Sequence, residues 1–549
     1  MNLDATLAQL EAAQIVRRLA EEQATYAFKH SLTQETVYHA LLKTRRRELH
    51  RAVAEAIEQT FADRLEEMGG VLAYHWEHAE VPDRARHYLY LASQRAAQRY
   101  ATPEALALLT RALALIADAP AHEIVLLYRA RAQVYEFLSQ YAEAMNDYTA
   151  ALQGARTAGR LDDECEIMAR IAWLRWLSGR GAAAVEIAQE VEHKARDLPD
   201  RSVGLRAYLV TGLVRQADGH IAEAYPRLRQ ALFFSRASGE RALEGESLFF
   251  LGIQNNFMGR FGRAVACARA AHAIKASLRD RVGEIVSMYL RGRAEGGRGC
   301  YDAALDALQA GHAVAEETQN PFGIAQYPNT RAWLSAELGD WQTAYEFDRA
   351  GLEVARAAPV RPPEISTLIN LVLDCAHLGR LDEADQFVLQ LHQWMGRSEF
   401  GFHAWRWQMR FADARARLLI ANSLFDEAQP VVDELLDWAG RTASAKYRAR
   451  GLMLRARLRI TRGDSGGAKV DLTAARGLAD VMGYLPVQIQ ARRALAELGD
   501  QAGTAAPERY REQAAQLVTG LGQSLKHPDL RRSFERGIGS LSSRVSNGA

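Results

Sequence analysis

Two histidines on one predicted helix have a spacing that could serve chemistry. His75 and His78, in the stretch AYHWEHAE, are three positions apart, so a helix would place both on one side, where they could bind a metal ion. Only Glu77 and Glu80 lie close by as further ligands, and no second cluster of metal-binding residues accompanies them. This spacing is more typical of a surface pair, and we predict no metal site.

A glycine-rich run, RGRAEGGRGC at residues 291–300, suggests a phosphate loop at first sight. Such a loop follows a strand and ends in Gly-Lys-Ser/Thr, because backbone N–H groups and a lysine hold the phosphates. The sequence contains no Gly-Lys pair, and the run falls at the end of a predicted helix. No His, Ser and Asp residues are spaced like a catalytic triad. We therefore predict no catalytic residues, no cofactor and a protein that is not an enzyme.

The composition is that of an ordinary globular protein, with 48% hydrophobic and 25% charged residues among 549. Lys and Arg number 68 against 67 Asp and Glu, and this balance provides no field to attract nucleic acid or an anionic membrane. The four cysteines are far apart, which indicates buried thiols in a reducing compartment. No apolar stretch approaches the roughly 20 residues of a membrane helix. We expect a cytoplasmic protein without a membrane partner, and the charge balance argues against a nucleic-acid partner.

A short pattern, Gly-x-Φ-x-x-Ala with Φ often apolar, recurs along most of the chain. Seven of the eight intervals between its closing alanines are 40 residues and the other is 44. Those alanines are Ala144, Ala184, Ala224, Ala264, Ala304, Ala344, Ala384, Ala428 and Ala468. Twelve positions before most of these alanines stands a small residue, and four positions before that stands a larger one. The two lie on one face of the same helix, and the glycine of the pattern ends that helix. Each period predicts a helix–turn–helix hairpin that buries its apolar faces against its neighbours.

The hairpin pattern resembles that of the tetratricopeptide repeat family. Tyr208, Gly212, Gly219 and Ala224 match the family's bulky, small, glycine and alanine positions. The family's standard repeat has about 34 residues, so a period of 40 predicts longer helices or longer turns. The resemblance implies an all-α, tetratricopeptide-like superhelix of about ten helical hairpins.

The same resemblance implies where a partner would bind. In this family the first helix of each hairpin lines a concave groove, mainly through its second, fifth, ninth and twelfth positions. Aromatic side chains beside Arg and Asn suit a peptide groove, because they combine rigid contact area with polar groups that fix the register. The residues carried over to these positions are Trp173, Trp176, Arg206, Phe249, Asn256, Tyr289, Arg293 and Trp333. The alternative is that longer helices tighten the superhelix and these residues only pack.

The one irregular interval, between Ala384 and Ala428, is rich in aromatic residues. Its four extra residues break the stacking register. We expect aromatic side chains to fill the resulting gap, in preference to forming an exposed patch. Arg406 and Arg410 lie on the same predicted helix and leave the second interpretation open. The aromatic residues are Trp394, Phe400, Phe402, Trp405 and Trp407.

Both ends of the chain carry a second resemblance. The segments FKHSLTQETVYHALL and RRRELHRAVAEAIE, with two predicted helices joined near Thr44, resemble the junction where the AAA/STAND-type ATPase module of bacterial signalling proteins passes into repeats. LKHPDLRRSFERG is similar to how such proteins end. The resemblance implies a winged-helix-like remnant in 1–64, repeats in 65–503 and a C-terminal helical cap and tail in 504–549. The ATPase part, and the class III adenylate/guanylate cyclase often fused to it, are absent.

Together these features predict a non-catalytic protein–protein interaction or regulatory module of bacterial signal transduction or transcriptional control. It would bind a peptide or protein in the concave groove, and a separate ATPase or cyclase is one candidate partner. The alternative is a small-effector sensor coupled to a separately encoded ATPase or nucleotide cyclase.

Overall fold

The computed structural model describes residues 3–19, 26–138, 140–178, 180–198, 204–217, 220–358, 361–395, 401–501 and 507–540. The chain divides into two compact units, Met1–Val134 and Tyr135–Ala549. Helix α7 (Ala121–Phe137) contains the boundary between them. Among the described residues, no helix combines the length and the apolar character needed to cross a membrane.

The first unit contains the only strands among the described residues. They pair antiparallel, with Val16 opposite Phe28. Each strand has three residues, too few for an alternating pattern to be visible in the sequence, and we did not expect them. The predicted pair of helices near Thr44 is confirmed. The elements are α1 (Leu3–Ala12), β1 (Val16–Arg18), β2 (Tyr26–Phe28), α2 (Ser31–Ala40), α3 (Lys43–Thr60), α4 (Leu65–His78), α5 (Pro82–Gln98) and α6 (Thr102–Leu113).

The second unit is an all-α array of helical hairpins. Nine hairpins run from α9–α10 to α25–α26, and a last short helix follows them. The helices are α8 (Tyr141–Thr157), α9 (Leu161–Leu177), α10 (Gly181–Lys194), α11 (Leu205–Ala217), α12 (Ile221–Ala237), α13 (Arg241–Phe257), α14 (Phe261–Ser277), α15 (Arg281–Gly297), α16 (Tyr301–Glu317), α17 (Pro321–Glu337), α18 (Trp341–Ala357), α19 (Pro362–Leu378), α20 (Leu381–His392), α21 (Gly401–Ala421), α22 (Phe425–Arg441), α23 (Ala445–Thr461), α24 (Ser465–Met482), α25 (Leu485–Gln501), α26 (Pro507–Ser524) and α27 (Pro528–Arg536).

The 40-residue period arises from long helices and short turns. From α13 to α18 every helix has 17 residues and three residues separate successive helices. Eight of the nine periodic alanines lie in the second helix of a hairpin, Ala144 lies in α8, and all nine are at most 1% exposed. Gly379 ends α19 with a φ of 73°, the left-handed conformation predicted for the turn glycine. The repeat alignment and the superhelical fold class are confirmed.

Contacts between distant repeats close the array within the second unit. The rings of Phe257 and Trp405 lie 4.7 Å apart, and the hydroxyl of Ser444 donates to the carbonyl oxygen of Phe257 at 3.2 Å. The hydroxyl of Tyr484 donates to the carboxylate of Glu337 at 3.0 Å. First helices of early repeats therefore pack against those of late repeats, and the groove face of the array turns inward.

The irregular interval is accommodated by unequal helices. Helix α20 has only 12 residues, whereas α21 has 21. Trp405 and Trp407 are 2% and 4% exposed, and Trp394 packs against the cluster of buried side chains around Trp407. The expectation that aromatic residues fill the gap is confirmed for these three. Phe400 and the side chain of Phe402 lie outside the described residues.

Candidate binding cavity

First helices of several repeats surround a cavity of about 400 Å³ inside the second unit. Five of the eight residues predicted for a groove line it. They are Trp173 on α9, Phe249 and Asn256 on α13, and Tyr289 and Arg293 on α15. Phe249 and Asn256 are seven residues apart, and Tyr289 and Arg293 are four residues apart. Residues at these spacings lie on one face of a helix, so each pair faces the cavity together.

The other three predicted residues do not line the cavity. Trp176 is 2% exposed and packs edge-on against Phe250, with 5.6 Å between ring centroids. Arg206 forms an ion pair with Glu246 at 2.8 Å. Trp333 donates its indole N–H to Glu337 at 2.8 Å. These three groove positions are therefore used for packing and ion pairing within the array.

Aromatic side chains form one wall of the cavity. Trp173 meets Phe250 edge-on at a centroid distance of 5.6 Å, and Phe249 meets Phe250 at 5.1 Å. Ile253 and Phe257 continue this wall one and two turns further along α13. Edge-to-face ring pairs hold one another in place, so this wall offers a rigid apolar surface.

Three arginines line another part of the cavity: Arg293 on α15, and Arg406 and Arg410 one turn apart on α21. Burial, followed by the neighbouring charge of Arg410, lowers the pKa of Arg293 to about 10. Burial and the charges of the other two arginines lower the pKa of Arg406 to about 9. Burial also lowers the pKa of Arg410. The three guanidinium groups repel one another in a poorly solvated space.

The hydrogen bonds of two of these arginines go to neutral acceptors. Arg410 donates to the backbone oxygen of Ser366 at 3.1 Å and to the amide oxygen of Asn370 at 2.8 Å. Arg293 donates to the amide oxygen of Asn329 at 3.5 Å, the long limit of a hydrogen bond. Among the described residues, neither forms an ion pair with a carboxylate.

The acidic residues that line the cavity already have partners of their own. Asp280 accepts from Lys275 at 2.8 Å, and Glu246 from Arg206. Burial opposes ionisation of Glu246, but the charges of Arg206 and Lys275 outweigh it and lower its pKa. Glu136 accepts from the hydroxyl of Tyr148 at 2.5 Å. These carboxylates therefore have partners elsewhere, and among the described residues none of them pairs with Arg293 or Arg410.

Behind the arginines lies a buried pair of acids. Asn329, which accepts from Arg293, donates to Asp348 at 3.4 Å. Burial and the charge of Asp374 hold the pKa of Asp348 well above its ordinary value, and burial does the same for the pKa of Asp374. A raised pKa favours the uncharged form of Asp348, which weakens the attraction that its carboxylate exerts on Arg410.

A second buried ionic group links distant repeats. The carboxylate of Glu337 accepts from Lys446 at 3.1 Å as well as from Trp333 and Tyr484. The side chains of Lys446 and Glu337 are 11% and 3% exposed. This group fixes α17 against α23 and α25 and belongs to the closure of the array.

One polar atom at the cavity has no partner. The amide oxygen of Asn256 is buried and forms no hydrogen bond within the described residues. An unpaired buried acceptor costs about 1–3 kcal/mol. A ligand with an N–H donor would satisfy it.

The glycine-rich run forms helix, and its glycines serve packing. It occupies the second half of α15 and the following turn. A Cβ added at Gly292 would lie 2.6 Å from a methyl carbon of Leu308, and one at Gly296 would lie 2.8 Å from the ring of Trp333. Helices α16 and α17, which carry Leu308 and Trp333, can approach α15 closely only because Gly292 and Gly296 have no side chains.

In the first unit, His75 contacts a histidine that the sequence pattern did not single out. The Nδ1 atoms of His50 and His75 are 3.0 Å apart, and the hydroxyl of Tyr38 lies 3.0 Å from Nε2 of His50. Burial and then the neighbouring histidines lower the pKa of His50, while burial and His78 lower that of His75. No group of three or more His, Cys, Asp or Glu side chains suited to a metal occurs among the described residues.

Sequence reasoning named Arg406 and Arg410 but could not place them at the cavity. They face it because α21 packs against α9 and α11 as well as against its neighbour α19. The available signal was the irregular interval, where two arginines four residues apart accompany a concentration of tryptophans.

Comparison with known proteins gives similarity in structure only. No family model matches the sequence, and no curated protein does. A Rap protein crystallised with competence and sporulation factor is 12% identical, with a TM-score of 0.49 over 66% of this chain and 100% of that one. A Rap conjugation gene regulator of the plasmid pLS20, in complex with the Phr* peptide, is 12% identical, with a TM-score of 0.44 over 66% and 98%. A STAND protein with a tetratricopeptide repeat sensor from Pyrococcus horikoshii is 13% identical, with a TM-score of 0.43 over 72% and 59%.

Proposed function

We propose that the second unit is a non-catalytic recognition module that binds a peptide, or a terminal segment of a protein, in its cavity. The observation that carries this proposal is the cavity itself, with an aromatic wall on α9 and α13 and polar groups on α13, α15 and α21. Its volume of about 400 Å³ lies within the range of ligand cavities, about 300–1,000 Å³. Packing alone would have filled this space, because protein interiors are as dense as organic crystals.

The proposed context is regulation in a bacterial signalling or transcriptional system, with a separately encoded ATPase or cyclase as a candidate partner. The resemblance of both chain ends to the junctions of STAND-type regulators supports this context. Occupation of the cavity would change the equilibrium between closed and open forms of the array, because early and late repeats meet around it. The partner would respond to that change.

A selection of random heptapeptides against the full chain tests the proposal. Val286 lies at the cavity, so Val286→Trp should occupy the space that a ligand needs. Val481 on α24 is 91% exposed, and Val481→Trp is a matched control. We expect the selected peptides to bind the wild type and Val481→Trp alike, and to bind Val286→Trp at least about tenfold more weakly, equivalent to about 1.4 kcal/mol.

The size of the cavity also favours a second candidate, the small-effector sensor. Native mass spectrometry of the full chain purified from its own cells distinguishes the two. A bound small molecule that is lost in Val286→Trp, together with a failed peptide selection, would support the sensor and contradict peptide recognition. Peptides that bind Val286→Trp as well as the wild type would contradict any role of the cavity.

A further inference from the structure

The charge around the cavity is unequal, and this inequality indicates the chemistry of its ligand. The acids that line it, Glu136, Glu246 and Asp280, each hold a hydrogen bond or ion pair of their own. Arg293 and Arg410 have only neutral acceptors among the described residues. The cavity therefore offers half-buried positive charge to a ligand.

The two arginines also have unused donors. A guanidinium group carries five N–H donors in a planar fork. Arg293 uses one of them, in a 3.5 Å contact with Asn329, and Arg410 uses one nitrogen for its two hydrogen bonds. Both side chains line the cavity, so the remaining donors are available to an oxyanion there. Arginine binds such groups by paired, charge-assisted hydrogen bonds.

Among the described residues, no buried acid forms an ion pair with Arg293 or Arg410. Asp348 is the nearest candidate, but it reaches Arg293 only through the amide of Asn329. Burial and the charge of Asp374 raise the pKa of Asp348, which disfavours the carboxylate form that would attract Arg410. Positive charge held away from water without a counter-ion is costly, and a ligand carboxylate would remove that cost.

The unpaired amide oxygen of Asn256 favours a peptide over a simple phosphate as the ligand. This buried oxygen needs a hydrogen-bond donor. A peptide backbone provides several N–H donors, whereas inorganic phosphate as a dianion has a single O–H and the dianion of a phosphate monoester has no donor. The adjoining wall of Phe249, Phe250 and Trp173 suits an apolar side chain. One short peptide could satisfy all three parts of the cavity.

We propose that the ligand of the cavity is an acidic peptide, whose carboxylate is held by Arg293 and Arg410 while a backbone N–H donates to Asn256. This inference rests on the proposed function and adds the class of peptide to it. Arg406 lines the same part of the cavity and increases the positive charge there.

The experiment compares matched peptides and matched variants of the full chain. Each peptide selected as above is synthesised with its carboxylates intact, with Glu and Asp replaced by Gln and Asn, and with an amidated C-terminus. Binding is measured by fluorescence anisotropy to the wild type, Arg293→Gln, Arg293→Lys and Arg457→Gln. Arg457 is an exposed residue of α23 that does not line the cavity, which makes Arg457→Gln the matched control.

We expect the acidic peptides to lose about thirtyfold or more in affinity when the carboxylate is removed, and by a similar factor in Arg293→Gln, because each change leaves a buried charge without its partner. Arg293→Lys should retain part of the affinity and Arg457→Gln all of it. In Arg293→Gln, acidic and amidated peptides should bind with similar affinity, an effect that a merely unstable variant would not produce.

The outcomes separate the inference from the proposed function. Peptides that bind at the cavity without preference for carboxylates, and equally well to Arg293→Gln, would overturn the inference and leave the proposed function standing. Failure to select any peptide would remove both. If inorganic phosphate stabilises the wild type but not Arg293→Gln against thermal unfolding, and no peptide binds, the site serves a phosphorylated small ligand and the acidic peptide is excluded.

Discussion

The close approach of α15 and α16 at Gly292 allows a sharp test of the repeat geometry. Gly292 occupies the small position of its repeat, twelve residues before Ala304. A Cβ added there would lie 2.6 Å from Cδ2 and 2.7 Å from Cγ of Leu308, and 3.1 Å from the backbone oxygen of Ala304. Carbon atoms in contact normally lie about 3.5–4.0 Å apart. In Gly292→Ala, either the side chain of Leu308 must move or the two helices must separate, by about 1 Å.

Two opposing contributions determine how much Gly292→Ala changes the stability of its hairpin. Alanine is favoured over glycine inside a helix by about 1 kcal/mol, whereas overpacking a close contact costs about 1–3 kcal/mol. Gly477 provides the matched control. It is an exposed glycine inside α24, and nothing lies within 4 Å of the position of an added Cβ. Gly477→Ala should therefore show the helix gain alone, and the difference between the two variants should equal the overpacking cost of about 1–3 kcal/mol.

Hydrogen exchange read by mass spectrometry measures this difference locally. Stability in a repeat array is close to a sum of nearest-neighbour terms, so each change should act mainly on its own hairpin. We expect the opening free energy of α15–α16 to change by about 0 to −2 kcal/mol in Gly292→Ala, and that of α24 to rise by about 1 kcal/mol in Gly477→Ala. Equal stabilisation in both variants would refute the close packing at Gly292 and the alignment that predicts it.

Four further substitutions test the buried groups and the C-terminal helix. The folded state keeps a proton on the Asp348–Asp374 pair that the unfolded chain releases near the ordinary Asp pKa of about 4, so stability should fall as the pH rises above that value. Asp348→Asn should flatten this fall in urea titrations by up to about 1.4 kcal/mol per pH unit. Glu337→Gln should lower the free energy of unfolding by about 3–5 kcal/mol in the same assay, because it leaves Lys446 buried without a counter-charge. Lys446→Met should lower it less, because Trp333 and Tyr484 still donate hydrogen bonds to Glu337. Gly537→Ala should free α27, because its Cβ would collide with a backbone oxygen at the end of α17, and limited proteolysis should then cleave after α26 sooner.

Each of these has its own contradicting result. Equal dependence of stability on pH in Asp348→Asn and the wild type would show that the acid pair is ionised in the folded state. A larger loss of stability in Lys446→Met than in Glu337→Gln would show that an unpaired Glu337 carboxylate costs more than an unpaired Lys446 ammonium group, contrary to this prediction. Cleavage of Gly537→Ala at the wild-type rate would show that α27 is not held at Gly537.

The sequence by itself determined the repeat, the helical hairpins and the buried alanines. These depend on spacing within about 40 residues, since helical periodicity and turn glycines act over one hairpin at a time. It also identified groove positions, and Trp173, Phe249, Asn256, Tyr289 and Arg293 do line one cavity. The two short strands near the start were not expected, since three residues show no periodicity.

Only the tertiary structure decided which groove positions face the cavity and which are packed. Trp333 points to Glu337 and Lys446 because repeats more than 100 residues apart meet there. Arg406 reaches Arg293 because the small rotations between successive repeats accumulate until α21 returns to the early helices. The sequence of a single repeat does not reveal this accumulated rotation. The position of the buried charge, and with it the chemistry of the proposed ligand, is therefore a property of the closed array.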